Sequence, residues 1–387
     1  MRVIIIDWNS YGNESMKALM HRKGYHVATS AYNEHLSREE REAQVKRLSR
    51  ILEEDGADYV FSYNYFPPVS EACQEKGVPY LAWVYDSPYM NIYSHTVLNP
   101  VNRIFVFDYG VYEEFEQNGI QTIHYLPLGA DAAHFEKKAS LPAPDCDICF
   151  VGSLYSESKH RIYDRFKDID PYTHGYLDGI MEAQKHIYGV NFLEGLITPE
   201  AEAQMQKAYP CNPNADTVMT PARIYSQFVL SRQVTAMERR EILTMLGERF
   251  ADRRLHLHTN DAALRIPGIQ NKGPVDYYDG MPAVFSHARI NLNITLRSIL
   301  TGIPLRALDI LGSGGFLLSN YQAELEEYFR PGEDFVFYED YEDLMNKAEY
   351  YLSHEKERAE IAENGCRKVR TEHSLEGRLT EMEKYLS

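Results

Sequence analysis

In the segment TGIPLRALDILGSGG, residues 301–315, a proline, an arginine and an aspartate head an apolar helical pattern. Pro304 suits the first turn of a helix, because the N–H it lacks would go unpaired there in any case. The free N–H groups between Gly302 and Leu305 would then form an anion site. Arg306 falls in the same turn, where a cation opposes the helix dipole at a cost of about 0.3–1 kcal/mol. A bound diphosphate would remove that conflict. Asp309, three residues on, shares a helix face with Arg306, and its carboxylate can accept from ribose hydroxyls. An ordinary surface ion pair at a helix start has the same letters, and this segment alone leaves both readings open.

The other candidates are weaker singly. Gly152 and Ser153 end an apolar run, with Lys159 and Arg161 close behind. Backbone N–H groups and cations in such a turn suit a phosphate, although a plain strand-to-helix turn looks alike. Arg297 closes NLNITLR, as a phosphate ligand or as a loop charge. In the first third of the chain, polar residues stand at the ends of apolar runs: Asp7, Asn9, Asn64, Asp86 and Asp108. Gly12, in the turn after the first run, would let a ligand approach the backbone. Asp86, in WVYDSP, is the preferred general base, placed to take a proton from an attacking hydroxyl; Asp-Ser-Pro is also ordinary turn chemistry. His95 is the second candidate. Tyr63, Tyr65, Phe66, Trp83, Tyr85, Tyr89 and Tyr93 gather nearby, to stack on sugars, to meet a peptide or simply to pack. No metal site is expected. Asp-Cys-Asp at 145–147 begins a strand, and Cys146 and Cys149 alternate with apolar residues with no second pair to complete a site.

These residues need a scaffold. Apolar runs at 3–7, 25–29, 58–63, 79–85, 103–107 and 124–126 alternate with helical segments at 16–22, 38–54, 69–75 and 109–117. That spacing implies parallel pairing and a doubly wound sheet. Pro142 and Pro144 mark a linker. A new strand at 146–152 is followed by a stretch, 156–250, that reads as four helices with breakers near Pro171, Pro199 and the loop at 210–217. Alternation resumes with strands at 255–258, 290–294, 315–319 and 335–338, a helix at 305–311, and a helical tail from 341. The predicted class is α/β, with two Rossmann-like doubly wound domains facing a cleft. They span 1–140 and 141–373, with a helical insertion at about 156–250 and residues 374–387 as a helix returning to the first domain. Open parallel sheets bind ligands beyond the carboxyl ends of their strands, where these candidates lie.

At 387 residues the chain exceeds one ordinary core. A formal net charge of -17 repels nucleic-acid phosphates and anionic lipid, so neither is an expected main partner. A small anionic ligand needs only a locally positive site. No run of 18 or more apolar residues is present, so no membrane span is expected. The opening MRVIIIDWNS lacks the length and flanks of a signal peptide. Five sparse cysteines fit a reducing compartment, and a cytoplasmic location is expected.

Four segments carry a family resemblance. LPLGADAAHF, 126–135, resembles the hinge of GT-B glycosyltransferases, and FVGSL…K, 150–159, resembles their second-domain opening. KGPVDYYDGMPAVFSHARINLN, 272–293, resembles the block whose backbone holds the nucleobase. LRALDILGSGGFLLSN, 305–320, resembles R-x-F-E-x-x-A-x-G-G. With WVYDSP, the chain is similar to the spore-maturation CgeB-like branch. The resemblance implies a metal-independent glycosyltransferase of the hexosyltransferase type. It would use a nucleotide-diphosphate sugar as co-substrate, UDP-sugar first, and an acceptor that is a glycan, a protein or a small molecule. On this resemblance Asp309 stands for the ribose-binding Glu, and Gly314 and Gly315 match the paired glycines. Gly273, Val275 and Tyr277 fall in the base-binding block, and Gly12 in the glycine-containing loop after the first strand. Three departures bear on the sugar and the stereochemistry. Thr301 stands where many relatives carry a Glu eight residues before the ribose acid, Ser153 replaces an Arg, and Asp309 is one methylene short of Glu. Two alternatives stay open: a nucleotide-sugar epimerase or hydrolase of the same fold, and a non-catalytic nucleotide-sugar or glycan-binding module.

Overall fold

The computed structural model of the protein describes residues 1–33, 38–211 and 217–386. They form two compact units. The first comprises residues 1–129, 217–219 and 375–386, and the second residues 130–211 and 220–374.

In the first unit, six parallel strands are β1 (Arg2–Asp7), β2 (His26–Ala31), β3 (Tyr59–Tyr63), β4 (Tyr80–Val84), β5 (Asn102–Val106) and β6 (Ile123–Tyr125), in the order β2-β1-β3-β4-β5-β6. Every residue of β3 and β4 is buried, as strands covered by helices on both faces must be. The helix Pro67–Lys76 opens on proline and closes on Gly77 at φ 66. Strand order reverses between β1 and β3, and a ligand crevice is expected at that switch point. The helix Leu375–Glu383 belongs to this unit. The Tyr25 hydroxyl donates to Glu383 at 2.8 Å, Arg103 donates to the Tyr385 carbonyl at 2.7 Å, and the Tyr385 ring lies against His124 and Phe105.

The second unit also has six parallel strands: β7 (Cys146–Val151), β8 (Leu255–His258), β9 (Ile269–Asn271), β10 (Ala288–Asn293), β11 (Leu317–Asn320) and β12 (Val336–Tyr338), ordered β12-β11-β10-β7-β8-β9. Its switch point lies between β7 and β10. Strand β9 has only three residues, bounded by Gly268 and Gly273 in left-handed backbone, and Ile269 is its one apolar residue, so no apolar run announces it. Between β7 and β8 stand the helices Pro171–Lys185, Pro199–Ala208 and Ser231–Arg249, with shorter turns between them. The prolines expected to break helices in fact begin them. Asp170 caps the first through the Tyr172 and Thr173 N–H groups, and Thr198 caps the second through Ala201. These helices close a small core of their own, with Phe166, Leu177, Met181, Met205 and Leu230 at its centre. Residues 212–216 of the expected breaker loop lie outside the described residues.

The division between the units falls at residue 129, ahead of the Pro142–Pro144 linker expected from sequence. The intervening helix Ala132–Ala139 is committed to the second unit. Phe135 packs edge-on to Tyr277, His134 bonds the Tyr278 carbonyl at 3.0 Å, and Lys138 pairs with Asp279 at 2.7 Å.

Candidate functional site

The helix Leu305–Gly312 follows β10 in the second unit. Pro304 precedes it in extended backbone (φ −64, ψ 140), so it is the boundary residue rather than part of the first turn. The loop before it is held from the far side. Gln322 Nε2 donates to the Gly302 carbonyl at 3.0 Å, the Thr301 hydroxyl donates to the Glu324 carboxylate at 2.8 Å, and the Glu324 N–H donates to the Thr301 carbonyl at 3.1 Å. Glu324 is buried. A carboxylate is thus brought to Thr301 from 23 residues away, a placement that sequence reasoning missed because it comes from the separate helix Ala323–Tyr328 after β11.

Arg306 and Asp309 do meet, at 3.2 Å, but not as a surface pair: the Asp309 side chain is 3% exposed. Its second oxygen accepts from the Tyr277 hydroxyl at 3.1 Å. Burial pushes the Asp309 carboxyl up to about 6, against the opposing pull of Arg306 and of the Tyr277 bond. The Arg306 guanidinium also reaches the Met281 sulfur and lies over the Phe285 ring. Of the paired glycines, Gly314 supplies φ 77, whereas at Gly315 a Cβ would stand 2.6 Å from the Asn291 amide and 2.9 Å from the Phe285 carbonyl.

Arg239 spans the switch point. It donates to the Ser153 carbonyl beyond β7 at 2.6 Å, and twice to the Ile294 carbonyl beyond β10 at 3.2 and 2.5 Å. Arg239 and Arg232 both lie over the Tyr155 ring. Gly152 bonds the His258 carbonyl, and the Ser153 hydroxyl accepts from the Tyr155 N–H. The cations expected at this turn do not gather there. Lys159 is exposed, and Arg161 is exposed beside Asp164. Those that do gather come from the helix Ser231–Arg249. Arg232 and Arg239 stand seven residues apart, two turns along one face, but Arg239 lies 86 residues beyond Ser153 in sequence, so nothing near the turn announces the pair.

Arg297 is a structural residue, not a free phosphate ligand. It is buried, pairs with the fully buried Glu238 at 2.8 Å, donates to the Lys185 and Ile187 carbonyls, and lies 4.0 Å from the Tyr188 ring centre. In the expected base-binding block, Gly273 adopts φ 75 and its N–H donates to the Asn271 side chain at 2.9 Å. Val275 packs so closely on Gly280 that a Cβ there would meet it at 2.6 Å. Tyr277 is the member of this block that reaches Asp309.

In the first unit, the space at Gly12 is taken by the protein itself: a Cβ there would stand 2.3 Å from the Tyr63 ring. The glycine admits a ring rather than a ligand. Burial would raise Asp7, but bonds from Lys17, Asn9 and Asn13 hold it below the usual carboxylate range, so it is a charged anchor for the turn. Asp86 sits at the end of β4 with its carboxylate on the Asn64 amide at 2.7 Å. It reaches solvent, yet the protein mass around it raises its pKa against the pull of Asn64. Asn64 itself is buried at φ 58. His95 is exposed on the short turn His95–Leu98, and Asp108 is buried at the head of the helix Tyr109–Gln117.

Residues 232–384 match the family model described as glycosyl transferase-like. No curated protein matches the chain. Among solved structures, a glycosyltransferase from Rickettsia africae ESF-5 matches with TM-score 0.53 at 10% identity, covering 100% of this chain and 97% of its own. Sucrose-phosphate synthase from Thermosynechococcus elongatus matches with TM-score 0.52 at 12% identity, covering 100% and 98%. Anabaena HepE, solved with UDP and glucose, matches with TM-score 0.50 at 10% identity, covering 100% and 99%. The chain has the GT-B glycosyltransferase fold. Its glycosyl transferase-like segment holds Arg239, the Gly273 loop, Arg306 and Asp309.

Proposed function

We propose that the protein transfers a hexose from a nucleotide-diphosphate sugar, UDP-sugar first, to an acceptor held by the first unit, without a metal ion. The observation that carries this reading is the buried Asp309 carboxylate beyond β10, held between the partly exposed Arg306 and Tyr277. A buried carboxylate raised toward neutrality lowers stability, and groups of that kind mark ligand sites. Ribose hydroxyls would donate to Asp309, with the nucleobase along the Gly273–Tyr277 loop. Arg306 and the N–H groups of the helix it begins would then meet the diphosphate and the charge that develops on it as it leaves. Arg232 and Arg239 add positive charge at the switch point. Asp86 would take the acceptor proton. That HepE was solved with UDP and glucose supports the choice of donor for a chain of the same fold. WVYDSP and LRALDILGSGG support a place in the CgeB-like branch. A cytoplasmic location, in keeping with the sparse cysteines, completes the proposal; no helix among the described residues is long and apolar enough to cross a membrane.

The test is thermal stabilisation by a panel of nucleotides and nucleotide sugars, in the wild type and in Arg306→Ala and Asp309→Ala. Ligand at 100 times its Kd should add about 2.7 kcal/mol. A shift with a diphosphate nucleotide, lost in both variants, is expected. If no nucleotide stabilises the wild type, the donor site is not there.

A further inference from the structure

Three strand ends in the first unit carry rings that donor chemistry leaves unused. Strands β1, β3 and β4 are neighbours, and the switch point lies between the first two. Trp8 follows β1, Tyr63 ends β3 and Tyr85 follows β4. The Trp8 indole N–H donates to the Tyr63 carbonyl at 2.8 Å, which pins the indole across the switch point. Trp8 and Tyr85 lie nearly parallel, with centroids 6.0 Å apart and planes 18° apart. Tyr63 backs Tyr85 edge-on and stacks on Trp83. Tyr63 and Trp83 are buried, Trp8 and Tyr85 are half-buried, and Tyr11 is 65% exposed in the turn after β1. Asn9 and Asn64 hold left-handed backbone at φ 68 and 58, side by side at the ends of β1 and β3. Asparagine adopts that region more readily than most residues, and the two fix the course of the chain just beyond the rings. Asp86 is the next residue after Tyr85.

We propose that the acceptor is a saccharide whose terminal pyranose ring packs on Trp8 and Tyr85 with its attacking hydroxyl turned to Asp86. This rests on the transfer reading above. The C–H hydrogens on one face of a pyranose carry partial positive charge and meet the negative face of an aromatic ring. The hydroxyls at its rim need polar partners, which Asp86 and the exposed Asn9 provide. A lipid acceptor would need a continuous apolar surface, and this rim is polar. A phosphorylated acceptor would face a carboxylate where it needs a cation. In the step itself the hydroxyl oxygen bonds the donor's anomeric carbon and its proton passes to Asp86. The bond from that carbon to the diphosphate breaks, and its electron pair leaves with the nucleoside diphosphate.

The chain has two tryptophans, and Trp83 is buried, so Trp8 is the reporter for bound sugar. Methyl β-glucoside, methyl β-galactoside, N-acetylglucosamine and chitotetraose would be titrated into the wild type, Trp8→Phe and Tyr85→Leu. Emission should change saturably in the wild type and not in Trp8→Phe. Kd should rise about tenfold in Tyr85→Leu, which keeps the reporter and removes one ring. UDP should stabilise all three proteins equally. No emission change with any saccharide, or the same change in Trp8→Phe, overturns the saccharide site even where UDP still stabilises. A saccharide response without UDP stabilisation supports this site and removes the transfer reading instead.

Discussion

Asp309 is a carboxylate with almost no access to water and two donors already in place, so its charge state governs what the site can accept. Its pKa is raised to about 6 in the fold, from an ordinary value near 4. Above that pH both oxygens accept; as pH falls through 6 one becomes a hydroxyl. Affinity for UDP-glucose, whose diphosphate does not titrate there, should therefore fall about tenfold between pH 7 and pH 5. Calorimetric titration should show Asp309→Asn binding weakly and without that slope. Stability runs the other way. An acid whose folded pKa is raised stabilises the fold most below about pH 4, and that contribution is lost as pH rises to 6. Urea unfolding should accordingly show Asp309→Asn gaining on the wild type as pH rises. At this scale the spacing of Arg306 and Asp309 was legible in sequence, because both lie on one turn of one helix. Glu324 and Arg239 were not, because their partners come from other elements. Arg297 was misread for the same reason: nothing near it in sequence announces Glu238.

The helix Ser231–Arg249 is the element through which the insertion and the sheet meet. Glu238 points inward to Arg297, while Arg232 and Arg239 sit against the turn beyond β7. Burial raises the Glu238 carboxyl, and Arg297 opposes that shift. Glu238→Ala would leave Arg297 buried without a counter-charge and should lower stability by about 3–5 kcal/mol. Arg161→Ala, which removes only an exposed partner of Asp164, should change it by less than about 0.5 kcal/mol. Chemical denaturation of the two variants checks the contrast. The alternation of apolar runs and helical segments was enough to read eleven of the twelve strands among the described residues. The exception, β9, has one apolar residue, Ile269, ahead of Gln and Asn, where the equally short β6 and β12 carry two or three apolar and aromatic residues. The insertion was legible as helical, but its prolines were read as stops because capping by Asp170 and Thr198 makes them starts.

At the scale of the whole molecule, one fold principle is used twice with different strand orders, and in each unit candidate residues stand beyond the carboxyl ends of the strands, Arg306 and Asp309 after a switch-point strand and Asp86 one strand away from one. That placement followed from the parallel pairing alone. The assignment of residues 130–139 did not, since it depends on Phe135 and His134 finding Tyr277 and Tyr278. The segment 375–386 is integral to the first unit: Leu379 and Met382 are fully buried, at about 1.5–3 kcal/mol each. Deleting it should lower or abolish the first unit's calorimetric transition while the second unit still answers to UDP. That same segment sets an order on synthesis. The ribosome releases residues 1–129 first, but the first unit lacks a part of its own structure until residues 375–386 emerge. The unit begun first is thus completed only after all of the second has been made.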